Sequence, residues 1–318
     1  MRGSADDKRS AGAPDRDSAS AEPTSPDPPS VRGLFAALSR AVRSRPSAEL
    51  AVATLPLPTL LVVVAVVPGT DAWALSLAAD GLFESRWTLW TAFASSFVHT
   101  DATHLLDNVV NYWLLVAVAY PLSVIAGWQR RLALAAVAYL LLVPLVSAWA
   151  TLLAFGGTVD APAAGFSDVN SAFLGYLVVV WFAALAREAR SSAGPSGIDA
   201  RWSLVVAFGS LAAVFFSPSG AGYFPPSPWV GLPFAVVAVA AGCVLYFRVG
   251  PPRFAALDLD APRELLYVTG ASVVVAGVIG SLVVVPTGSN VFAHLAGYAV
   301  GFSVAFCWVI ADSSRGRA

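Results

Sequence analysis

The chain has 318 residues, of which 57% are hydrophobic and only 12% charged, whereas an ordinary soluble domain carries about a quarter charged residues. With a mean hydropathy of +0.70 and several apolar runs near the roughly 20 residues that cross a bilayer, it reads as a multi-pass protein of the cell membrane. The net charge of −1 leaves no basic excess for a nucleic-acid partner, which needs a positive face.

Residues 1–45 begin MRGSADDKRSAGAPDRDSASAEPTSPDPPS, rich in Ser, Pro and Asp and almost without large apolar groups. Such a stretch buries too little surface to offset its ordering entropy, so a disordered cytoplasmic tail is expected. It also lacks the apolar core of about 7–15 residues that marks a signal peptide. A transmembrane domain is expected over 46–312, with a short tail at 313–318.

Eight apolar runs fall within that domain, at about 49–67, 103–126, 131–155, 166–186, 202–217, 228–247, 265–285 and 291–311, and predict eight transmembrane helices. The expected fold is therefore an all-α polytopic bundle. The segment 68–102 after the first run is rich in aromatics (Trp73, Phe83, Trp87, Trp90, Phe93, Phe97), which suits a loop partly embedded at the membrane interface. Cys243 and Cys307 both fall inside apolar runs and read as small buried hydrophobes rather than a disulfide or metal site.

The arginines alternate between loops. Arg40, Arg43 and Arg45 precede the first run, and Arg130 and Arg131 divide the second from the third. Arg187, Arg190 and Arg201 follow the fourth, Arg248, Arg253 and Arg263 the sixth, and Arg315 and Arg317 the last. The other loops carry Arg86 alone. The positive-inside rule then places both termini in the cytoplasm. In that orientation the second, fourth and eighth helices all run from outside to inside. His104, Asn108, Ser167 and His294, each near the start of one of them, share one depth near the outer leaflet.

Polar groups inside a bilayer are costly and usually face the bundle interior or a wet cavity. A Ser hydroxyl becomes a nucleophile when a neutral His accepts its proton, and the resulting oxyanion needs hydrogen-bond donors. His104 and Asn108, four apart, share one helix face and could donate, as could the backbone N–H of Ser167 at a helix start. Ser167, Ser171 and Gly175 form one stripe at spacing four, and Gly297 and Gly301 another. Small residues on both let two membrane helices approach closely.

At these residues the chain resembles the rhomboid intramembrane serine proteases. That family carries His-x4-His-x3-Asn on its second helix, Gly-x-Ser-Gly at the start of its fourth, and Ala-His-x2-Gly-x3-Gly on its last. Here they read HTDATHLLDN from His99 to Asn108, GFSD from Gly165 to Asp168, and AHLAGYAVG from Ala293 to Gly301. The resemblance implies Ser167 as nucleophile and His294 as base in a two-member dyad, His104 and Asn108 as oxyanion donors, and His99, Gly165, Gly297 and Gly301 as supports. Trp90 looks like an aromatic of the family's first loop. No metal or other cofactor is implied, and the implied partners are transmembrane protein substrates and the lipid bilayer.

The chain departs from the pattern at three points. Asp168 replaces the Gly after the nucleophile, and a carboxylate there would oppose an oxyanion unless it points to water or is protonated. Ser171 stands where the family often stacks an aromatic on the catalytic His. Three helices rather than one separate Ser167 from His294, so extra helices are expected within 200–250, and the run 265–285 is taken to match the family's fifth. Two other readings stand beside the protease. One is an inactive rhomboid-like protein that binds transmembrane clients. The other is a metal site or transporter built on the three histidines, although His99 and His104 would face different ways on a helix.

Overall fold

The computed structural model describes residues 47–157, 161–191, 196–217, 227–285 and 289–315. The predicted N-terminal tail lies outside them. Among the described residues ten α-helices run α1 Ser47–Thr54, α2 Pro56–Val66, α3 Arg86–Ala94, α4 Ala102–Ala126, α5 Gln129–Phe155, α6 Ser167–Ser191, α7 Trp202–Phe216, α8 Pro228–Val249, α9 Ala261–Val278 and α10 Val291–Arg315.

Six spans among the described residues are long and apolar enough to cross a membrane: those built on α4, α5, α6, α8, α9 and α10. The first predicted crossing is instead two helices, α1 and α2, bent by 42°. Pro56 causes the break, because it lacks the N–H that would continue the ladder and its ring crowds the preceding turn, while Leu55 itself keeps helical backbone at φ −97 and ψ −42. The fifth predicted crossing, α7, has 15 residues, about 22 Å of helix against roughly 30 Å of hydrocarbon. The eight expected crossings thus resolve into six full-length helices, one bent pair and one short helix, an all-α architecture compatible with a polytopic membrane protein.

α6 is the hub. It is buried on every face from Asp168 to Leu185 apart from the half-buried Trp181, and it packs against α10, α4, α5 and α9. A helix apolar all round belongs at the centre of a bundle. α7 and α8 pack chiefly on one another at the periphery, where α8 leaves Trp229 and Phe247 largely exposed. Cys243 and Cys307 are exposed too, a correction to their expected burial. Both sit on outward faces of α8 and α10, where apolar sequence serves a lipid-like surround rather than the core.

The helix ends are legible in local chemistry. Asp101 caps α4 by accepting the His104 N–H at 2.7 Å, and Gly127 ends it at φ 74, the left-handed conformation that favours glycine. Asp260 caps α9 through the Arg263 N–H at 3.0 Å. Arg131 holds Asp312 by two 2.7 Å bonds beneath the rings of Trp128 and Trp308, joining the start of α5 to the end of α10.

The aromatic segment between α2 and α4 folds into the short helix α3, whose N-cap is Ser85. Phe83, Trp87 and Trp90 are exposed, and Trp90 meets Trp73 edge to face. A two-residue antiparallel ladder, β1 Leu75–Ser76 with β2 Pro162–Ala163, pairs Leu75 with Ala163. It ties this segment to the strip of chain that leads into Ser167.

Candidate active site

The starts of α4, α6 and α10 meet at one end of the bundle. Ser167 is the first residue of α6. Ahead of it Gly165 has φ 126 and donates its N–H to the Ser95 carbonyl at 3.0 Å. Any side chain at Gly165 would be strained and would collide with the His104 ring. That glycine therefore lets His104 lie against the backbone two residues before Ser167. Asn290 caps α10 by accepting the Ala293 N–H and reaches Thr151 at 2.6 Å, fixing the turn that carries His294.

Ser167 Oγ and His294 Nε2 are 2.8 Å apart, and His294 is only 7% exposed. Its other nitrogen, Nδ1, lies 2.8 Å from the Ser281 carbonyl. A carbonyl can only accept, so Nδ1 carries the proton and Nε2 presents its lone pair to the serine hydroxyl. Ser281 belongs to the π-helical turn Ile279–Val283 that closes α9. The ring orientation of His294 rests on this backbone carbonyl. Ser171 donates to the Ser167 carbonyl at 2.8 Å.

Asn108 is buried and fully engaged. Its Nδ2 bonds the His104 carbonyl and His99 Nε2, each at 3.1 Å, and Asn170 donates to its side-chain and backbone oxygens at 3.1 and 3.0 Å. Two amide hydrogens serve two acceptors, so the oxyanion role expected of Asn108 requires release of His99. In the first turn of α6 the Val169 N–H serves Asp168 and the Asn170 N–H serves the Phe166 carbonyl, so the imidazole of His104 and the N–H of Ser167, which has no intrahelical acceptor, are the donors left for that role. Asn170 was not singled out from the sequence. Its spacing of three from Ser167 was the available signal, since it puts a second amide one turn into a buried helix.

His99 lies in the loop before α4, and its ring meets that of His104 edge to face at 5.2 Å, closer than two opposed helix faces would allow. Burial first, then the charge of His104, push its imidazole down to about 4 from 6.5, against smaller upward pulls from the Phe97 backbone and Asp101. The neutral ring accepts from Asn108, whereas a protonated Nε2 would face that amide donor to donor. Because the folded value lies below the unfolded one, this contribution to stability is complete above about pH 6.5 and is lost as pH falls toward about 4. Thermal unfolding of wild type and His99→Gln across pH 4–7.5 should show the difference in stability between them narrowing on the acid side.

Asp168 points neither to water nor at Ser167. It is 3% exposed, and its Oδ2 accepts from Ser96 Oγ at 2.7 Å and from Ser147 Oγ, while Oδ1 accepts the Val169 N–H at 2.7 Å. The carboxylate thus joins the segment after α3, the middle of α5 and the first turn of α6. Ser96 and Ser147 also escaped the sequence reading, being small hydroxyls in apolar surroundings.

Close approach of α6 and α10 brings Ser167 and His294 together. A methyl group at Gly297 would overlap the Asp168 carbonyl, one at Gly301 the Ala172 carbonyl, and one at Gly175 the Tyr298 carbonyl. Tyr139, fully buried, donates to the Gly301 carbonyl at 2.8 Å and adds α5 to the contact. Among the described residues no group of three His, Cys, Asp or Glu side chains is placed to hold a metal ion. Comparisons with protein-family models, curated proteins and solved structures give no match.

Proposed function

We propose that the chain is a rhomboid-type intramembrane serine endopeptidase that cuts transmembrane segments of membrane-protein clients near the outer face, with both termini cytoplasmic. The observation that carries this reading is the 2.8 Å contact of Ser167 Oγ with the unprotonated nitrogen of His294. A client helix unwinds locally and presents a scissile carbonyl to Ser167. Oγ attacks the carbonyl carbon as His294 Nε2 takes the hydroxyl proton. The oxyanion is held by the Ser167 N–H and the His104 imidazole, and by Asn108 once His99 lets go. Collapse breaks the C–N bond, and Nε2 returns the proton to the leaving amine. Water then attacks the acyl ester, giving a proton to Nε2 that passes back to Oγ as the acid leaves.

Fluorophosphonate labelling of the detergent-purified protein tests the reading. Wild type and Ser171→Ala should label, whereas Ser167→Ala and His294→Ala should lose at least about 10³-fold in labelling rate, as the removal of a nucleophile or its base does. The engagement of Asn108 by His99 and His104 favours one competing reading, a catalytically silent protein that binds transmembrane clients. A wild type that does not label, beside an active serine hydrolase that does, selects it.

A further inference from the structure

At the end of the bundle opposite Ser167, the last turns of α4 and α6 and the first turn of α9 enclose a cleft of about 650 Å³. Arg187, Arg190, Arg263 and Glu188 line it, with Val124 and Ile125 as an apolar side. We propose that this cleft binds the phosphate headgroup of an anionic glycerophospholipid, its acyl chains running down the apolar side. The inference rests on the membrane-spanning character of the helices and is independent of the protease reading.

Charge comes first. Three guanidinium groups against one carboxylate leave a surplus of two positive charges. Arg263 is paired with Glu188 at 3.2 Å, but Arg187 and Arg190 form no ion pair among the described residues. Asp199, whose charge is felt by Arg190, is already held by Arg201 at 2.7 Å. The C-termini of α4 and α6 bring about half a negative charge each and the N-terminus of α9 about half a positive one, so the cleft stays positive.

Placement comes next. Arg187 Nη1 lies 3.3 Å from where a side chain on Gly127 would begin, so the bare backbone at φ 74 gives the guanidinium its seat over the end of α4. Phosphate suits such an array, because guanidinium groups bind it by paired, charge-assisted hydrogen bonds. Depth selects a lipid. α4 and α6 have 25 residues each, about 37 Å of helix, and so carry their ends beyond a hydrocarbon layer of about 30 Å into the headgroup region. A zwitterionic choline headgroup would bring its own cation against the surplus arginines. Anionic lipid is the better match.

Unfolding temperature of the full chain in mixed micelles tests the proposal. Phosphatidylglycerol should raise it in a saturable way, and phosphatidylcholine at the same mole fraction should not. Arg187→Gln/Arg190→Gln, which leaves the Arg263–Glu188 pair intact, should need about fivefold more phosphatidylglycerol per arginine removed to reach half the shift. Arg248→Gln, in the last turn of α8 and outside the cleft, should respond as wild type does. The readout is lipid dependence, so a lower starting temperature in a variant does not obscure it. A full phosphatidylglycerol response in the double variant, or an equal loss in Arg248→Gln, would overturn the site. A shift of the same size from inorganic phosphate at equal concentration would overturn the lipid as its occupant.

Discussion

Asp168→Gly, the change that would bring this chain closest to the Gly-x-Ser-Gly pattern, is expected to destabilise it by about 3 kcal/mol rather than to improve a nucleophile. The carboxylate is the shared acceptor for Ser96, Ser147 and the Val169 N–H. Removing it leaves buried donors that each cost about 1–3 kcal/mol when unpaired. Ser147 recovers part of that, because its hydroxyl also reaches the Pro144 carbonyl at 3.1 Å. Among the described residues Ser96 Oγ has no second acceptor, and a glycine in the first turn of α6 adds about 0.3 kcal/mol relative to aspartate, itself a weak helix former. Asp168→Asn keeps an oxygen for Val169 and turns an amide toward two hydroxyls that can accept as well as donate, so its cost should be about 1 kcal/mol. Thermal unfolding in a single detergent ranks the three proteins. A Gly variant as stable as wild type and faster to label would mean that the carboxylate opposes the oxyanion after all.

Apolar runs lose nothing by being read one residue at a time, so the long helices were legible to within a few residues: 103–126 became Ala102–Ala126 and 131–155 became Gln129–Phe155. Length alone did not disclose the break at Pro56, although a proline inside the apolar run 49–67 was the available signal. The side chains of the candidate site were legible because Ser, His and Asn are rare in such surroundings and their spacing puts them at helix starts. Their partners were less so. Ser281 acts through a main-chain oxygen, which any residue in that π-helical turn would supply, so its identity carries no information. The partners of Asp168 lie 72 and 21 residues away in sequence, and only tertiary packing joins them. Asn108 was legible as a polar group facing the interior, but the choice between donating to an oxyanion and donating to His99 depends on where the loop before α4 folds.

Gly301→Leu should cost about 3 kcal/mol and also break the Ser167–His294 contact. The Ala172 carbonyl of α6 stands where a side chain on Gly301 would begin. That obstacle is backbone inside a fully buried helix and cannot swing aside as a flexible side chain would. α10 must move outward, toward the 8–10 Å separation usual for helices packed through larger side chains. Tyr139 then loses its 2.8 Å bond to the Gly301 carbonyl, and its hydroxyl is left in a fully buried pocket. His294 rides on the same helix two turns earlier, so an outward shift of even 1 Å takes a 2.8 Å contact past the range in which a hydrogen bond holds. Gly209→Leu on α7 is the matched control, since nothing lies within 4 Å of the position where its side chain would start, and a better helix former there should be neutral or slightly stabilising. Unfolding temperature and fluorophosphonate labelling on the two variants separate the effects. If Gly301→Leu folds with wild-type stability and labels normally, the close approach of α6 and α10 is not what holds Ser167 against His294, and the loop anchors at Gly165 and Asn290 must hold it instead.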